Sequence, residues 1–152
     1  MEKSEKEKED YKQRFERERE EWKEKIQVVS LNLKDIKTVA KAQVDLFSYR
    51  QALLEYSFQL AAIVSKLNSK YRGDKSRKLR EYSENTDVRY GSNEKTVLIE
   101  GDLTEITEKV EIVDGHRKFM DQTVQTVDHM LYGIRHRIML EDYLRGSTPS
   151  KD

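Results

Sequence analysis

Seven cations stand between positions 66 and 80 of this chain: Lys66, Lys70, Arg72, Lys75, Arg77, Lys78 and Arg80, against the single acid Asp74. Tyr71 and Tyr82 lie at the ends of the run, and Tyr90 follows a little further on. Cations that follow phosphates, set beside rings that stack on bases, suit sequence-tolerant binding of single-stranded nucleic acid. A second reading carries equal weight. The run is then an ordinary basic segment that pairs with positions 94–114, where seven acids face two bases.

Other chemistry is thinly represented. His116, His129 and His136 all fall near the C-terminus, and none belongs to an H-E-x-x-H pair. The seven-residue step from His129 to His136 leaves two helical turns between them, so surface or interface histidines are expected and no metal site. Walker loop, nucleophile elbow and dinucleotide fingerprint are all missing from the sequence. Carboxylates alternate with Lys and Arg at helical spacings, which salt-bridged faces explain without acid–base chemistry. With no cysteine, disulfides and thiol nucleophiles are excluded. The expectation is a non-enzymatic protein with no cofactor.

Helices must position the basic run. Of 152 residues, 38% are charged and 36% hydrophobic, with formal net charge zero. A chain so polar folds by aligning apolar residues on stripes. No apolar run approaches the roughly 20 residues of a membrane span, and no signal-peptide core opens the sequence, so a soluble, cytoplasmic chain is expected. Neither Gly nor Pro occurs before Gly73, so nothing there forces a helix to stop. Positions 1–34 read as a charged, solvated helix with a narrow stripe of Tyr11, Phe15, Trp22, Ile26, Val29 and Leu33. Ser30, Asn32 and Asp35 each offer an N-cap at a break. Positions 35–101 hold the basic run and a broad apolar pattern (Val39, Val44, Phe47, Leu53, Leu54, Phe58, Leu60) that predicts the centre of an N-terminal core. Two β-like runs, 86–90 and 95–99, flank the turn formers 91–94 and predict a small hairpin.

The clearest element spans 102–146. Asp102 followed by Glu105 predicts an N-cap and an acid in the first turn. Leu103, Ile106, Val110, Val113, Arg117, Met120, Val124, Val127, Leu131, Ile134, Ile138, Glu141 and Arg145 then step three and four, the spacing of a coiled-coil seam. Gly146 is placed as a C-cap, and 147–152 as a flexible tail. A helix of about 65 Å is too long to bury its seam in one small domain, so a homo-oligomer of more than two copies is expected. Arg117 and Glu141, as charged seam positions, are expected to set register. Gly115 and Gly133 are expected to mark a bend or a close crossing.

Over roughly residues 38 to 146 the sequence resembles the UvsY-type recombination mediators of tailed phages. The resemblance rests on Leu67-Asn68-Ser69-Lys70-Tyr71 through Lys78-Leu79-Arg80-Glu81-Tyr82-Ser83, on Lys95-Thr96-Val97-Leu98 with Asp102, and on Ile134-Arg135-His136 with Tyr143 and Gly146. It implies an oligomeric accessory protein that binds single-stranded DNA and helps load a RecA-like recombinase onto strands covered by single-strand-binding protein. It places DNA-binding side chains at Arg77 and Lys78, with Lys75 next, and assembly on the C-terminal helix. A phage-encoded protein of this kind would act in the host-cell cytoplasm. The competing expectation is a coiled-coil adaptor that binds no nucleic acid.

Overall fold

A computed structural model of the chain describes residues 2–85 and 87–146. Four helices hold 93% of the described residues and no strand occurs among them. They are α1 (Glu2–Asn32), α2 (Ile36–Glu84), α3 (Ser92–Asp102) and α4 (Thr104–Gly146). The mostly α class expected from the sequence is the class found. The predicted tail at 147–152 lies outside the described residues.

Asp35 makes the break between α1 and α2. Its carboxylate accepts the backbone N–H of Lys37 at 2.9 Å, and its carbonyl accepts that of Thr38 at 3.1 Å. That is N-cap geometry, and it satisfies donors that the first helical turn otherwise leaves unpaired.

The chain packs as two compact units, one from 1–16 with 58–118 and one from 17–57 with 119–152. In the first, α1 lies parallel to the start of α4. Glu7 pairs with Lys109 at 2.9 Å, Lys8 with Glu108, and the buried Phe15 ring stacks on buried His116 at 4.1 Å between centroids. Ile99, Leu103 and Ile106 form a cluster on which Tyr71 and Tyr82 of α2 pack. In the second unit, α2 runs antiparallel to both α1 and α4. Trp22 meets Tyr49 edge-on at 5.5 Å. Arg50 pairs with Asp128 at 2.6 Å, and Ser57 donates to Asp121 at 2.5 Å. Val29, Val39, Ala42, Leu46, Leu53, Met120, Val124, Val127 and Ile134 are its buried apolar side chains.

Several expectations change. The predicted hairpin is absent: positions 95–99 are helical within α3, while 88–90 carry no regular structure and Thr86 lies outside the described residues. Gly91 caps α3, its N–H donating to Glu94 at 3.3 Å and its carbonyl accepting from Lys95 at 3.0 Å. A lone hairpin would have had no packed face. As a helix, the segment brings Ile99 of α3 together with Leu103 at the break and Ile106 of α4 in one buried cluster. Asp102 is the last residue of α3 rather than the cap of α4, because the helix path breaks at Leu103 (φ −100°, ψ 8°).

Nor is α1 merely solvated: Phe15 and Val29 are buried. The broad apolar face predicted on α2 is only half used, since Val44, Phe47 and Phe58 stay exposed. Most consequentially, the α4 seam is covered by the chain's own helices. Leu103, Ile106 and Val113 are buried in the first unit, and Met120, Val124, Val127 and Ile134 in the second. Val110 and Leu131 are half-buried, and Ile138 is exposed. Seam length therefore no longer demands other copies. His116, not Arg117, fills the inward position; Arg117 pairs with Asp114 at 2.9 Å and Glu141 with Arg137 at 3.4 Å, both outside the buried line. Gly115 and Gly133 lie inside an unbroken α4, and a Cβ on either would meet nothing within 4 Å, so neither serves a close crossing.

Candidate nucleic-acid interface

All seven cations of the basic run sit on the second half of α2, in the first unit. At 100° per residue they divide into two groups. Lys66, Lys70, Arg77 and Arg80 fall on one exposed stripe with Gly73 between them. The stripe is about 21 Å long at 1.5 Å per residue. Among the described residues Lys66, Lys70 and Arg80 form no ion pair, but Lys70 lies near enough to Glu7 of α1 for its charge to help lower that carboxyl. Arg77 is tethered, 3.5 Å from Asp74 and 3.8 Å from Glu81.

The remaining cations point elsewhere. Lys78 is half-buried, 3.7 Å from both Glu81 and Asp102. Lys75 sits over the Tyr71 ring at 5.9 Å, and Arg72 donates to Ser69 at 3.2 Å. Of the three positions implied by the resemblance, only Arg77 lies on the open stripe. Pairing with the acidic stretch 94–114, the alternative use of the basic run, is confined to Lys78 with Asp102.

The tyrosines do not face this stripe. Tyr71 and Tyr82 turn inward onto Ile99, Leu103 and Ile106. Tyr90 meets Tyr82 edge-on at 5.4 Å and lines a shallow groove with Asn93, Val97 and Leu98. Stacking, half of the chemistry read from the sequence, is thus diverted into packing. The stripe itself was available to a reading by helical angle, because i, i+4, i+11 and i+14 recur on one face; counting cations by position alone hides it.

Tyr82 donates its O–H to Asp102 at 2.6 Å. That hydrogen bond, with burial behind it, raises the phenol above its ordinary 10.0. A raised folded-state value means that the stabilisation is complete below about pH 10 and fades as pH rises through the folded value. In a phenolate absorbance titration, Tyr82→Phe is expected to remove one late-ionising group from the wild-type curve. Superimposable curves would mean that the Tyr82–Asp102 hydrogen bond does not hold in solution.

The three histidines have different surroundings. His116 is buried against Phe15, His136 meets Tyr132 edge-on at 4.5 Å, and His129 is exposed. No group of three metal-capable side chains occurs among the described residues. No described helix is long and apolar enough to cross a membrane. Comparison of the chain with protein-family models, with curated proteins and with solved structures found no match.

Proposed function

We propose that this chain is a non-catalytic protein that binds single-stranded DNA through the phosphate backbone, using the α2 stripe Lys66, Lys70, Arg77 and Arg80. The observation behind this reading is the alignment of four exposed cations on one helix face, three of them in no ion pair among the described residues. Contacts to phosphates need no base-specific geometry, which suits a stripe without accessible rings. The resemblance to UvsY-type mediators adds the biological setting: loading of a RecA-like recombinase on strands held by single-strand-binding protein, in recombination and repair.

Four contacts give weak binding. For single strands, the slope of log K against log salt is about −0.7 per phosphate contact, so roughly −3 in all. Useful affinity then requires several copies on one strand. In fluorescence anisotropy with a labelled oligothymidylate, wild type is expected to bind at low salt. Lys66→Ala, Lys70→Ala, Arg77→Ala and Arg80→Ala together should flatten the slope to near zero. An unchanged slope would move the contact elsewhere; no binding by the wild type at low salt would end the nucleic-acid reading.

The alternative, a helical adaptor without nucleic acid, draws on a different observation. Val44, Phe47, Tyr132, Met139, Tyr143 and Leu144 of the second unit are each more than half exposed. Such a surface suits a protein partner. The same titration separates the two readings.

A further inference from the structure

Within the second unit α2 carries two seams. The inner one, Val39, Ala42, Leu46 and Leu53, is buried. The outer one is Ala40, Val44, Phe47, Gln51 and Leu54, stepping four, three, four and three. Spacing of this kind keeps a stripe aligned with a neighbouring helix over several turns. Yet Val44 is 68% and Phe47 56% exposed. Beside Phe47 a groove of about 390 Å³ opens toward α4, lined there by Leu131, Tyr132, Arg135, Ile138 and Met139. The outer seam has coiled-coil periodicity, no charge in its line and no helix on it among the described residues.

We infer that a second copy of this chain covers the outer seam, its α2 lying antiparallel to the first across a two-fold axis at Ser48. The charges beside the seam select this occupant. Lys41, Ser48 and Glu55 are exposed at seven-residue intervals along its edge, on the side away from the groove. Lys41 and Glu55 are equidistant from Ser48, so one antiparallel copy creates two Lys41–Glu55 pairs at once. An isologous interface requires this self-complementarity, and an unrelated helix does not. Glu55 already accepts a hydrogen bond from Gln51 at 3.0 Å, which holds its carboxylate along the edge. Lys41 makes no ion pair among the described residues, although Asp45 stands one turn along on the same helix. In the same register Val44 lies between the partner's Gln51 and the partner's Leu54, and Phe47 between the partner's Phe47 and the partner's Gln51, so no charge is buried. The groove wall, with Tyr132 and Met139, then borders the incoming helix.

This assembly is independent of nucleic acid, and it would supply the second copy that the weak cationic stripe needs. Sedimentation velocity over a concentration series tests it, with far-UV circular dichroism melts to confirm that the variants fold. The full chain should form a dimer, and V44D with F47D a folded monomer. Lys41→Glu and Glu55→Lys should each place two like-charge contacts across the axis and weaken the dimer about tenfold. The double exchange K41E/E55K should restore wild-type association. A wild-type chain that stays monomeric up to about 0.1 mM, a level at which even weak specific dimers form, would overturn the inference. So would a dimer that survives V44D/F47D, or a double exchange that fails to recover.

Discussion

Replacing Phe15 by Ala is expected to cost about 3–5 kcal/mol, the range for removing a large aromatic from a packed interior. Phe15 is fully buried, stacked on His116 at 4.1 Å, with Tyr11 5.4 Å away on its own helix. Domains of this size have roughly 5–15 kcal/mol in total, so the loss would remove a large share of it. Two features enlarge the effect. The cavity would lie where α1 meets α4, and His116 would lose the ring stacked on it. Urea unfolding followed by circular dichroism measures the change as a shift in midpoint at constant slope. A cost under about 1 kcal/mol would mean that α1 does not cover α4, and the solvated-helix expectation for positions 1–34 would return.

Val124→Asp should unfold the second unit rather than separate subunits that stay folded. Sequence periodicity puts Val124 on a seam between subunits, where an added charge would dissociate an assembly and leave the protomer intact. In the structure Val124 is 8% exposed, beside buried Thr123 and one turn from buried Val127 and Met120. Val127 and Met120 offer a carboxylate no counter-charge, Arg50 on α2 is already paired with Asp128, and an unpaired buried charge costs several kcal/mol even after relaxation. Loss of cooperative melting with reduced helicity is therefore the expected result. A folded variant of lower mass would restore the intersubunit seam on α4 and move the assembly away from α2.

These two substitutions mark where sequence and structure diverge. Apolar periodicity on α1, α2 and α4 was readable because every buried side chain on a helix must recur at three- and four-residue steps to face one neighbour. Asp35 was readable as a boundary candidate because its short carboxylate reaches its own helix's free N–H groups. Arg117 and His116 show the limit. Both fit the heptad within one position, and only the Phe15 ring, about a hundred residues distant in sequence, selects the histidine. Asp102 shows it again. Its sequence context predicts a cap, but Tyr82 and Lys78 draw the carboxylate sideways and the chain is already helical when it arrives there.

The basic run follows the same rule. Its charge is a property of composition, while its partition into an outward stripe and inward-held Lys78, Tyr71 and Tyr82 depends on the α3–α4 cluster that packs against one side of α2. By itself the sequence determined a helical chain with heptad stripes and one cationic segment, because local spacing and side-chain chemistry suffice for both. Tertiary structure decided which stripe is satisfied within the chain. A seam carries no label for its partner: the α4 stripe is met by α1 and α2 of the same molecule, and the outer face of α2 is left open.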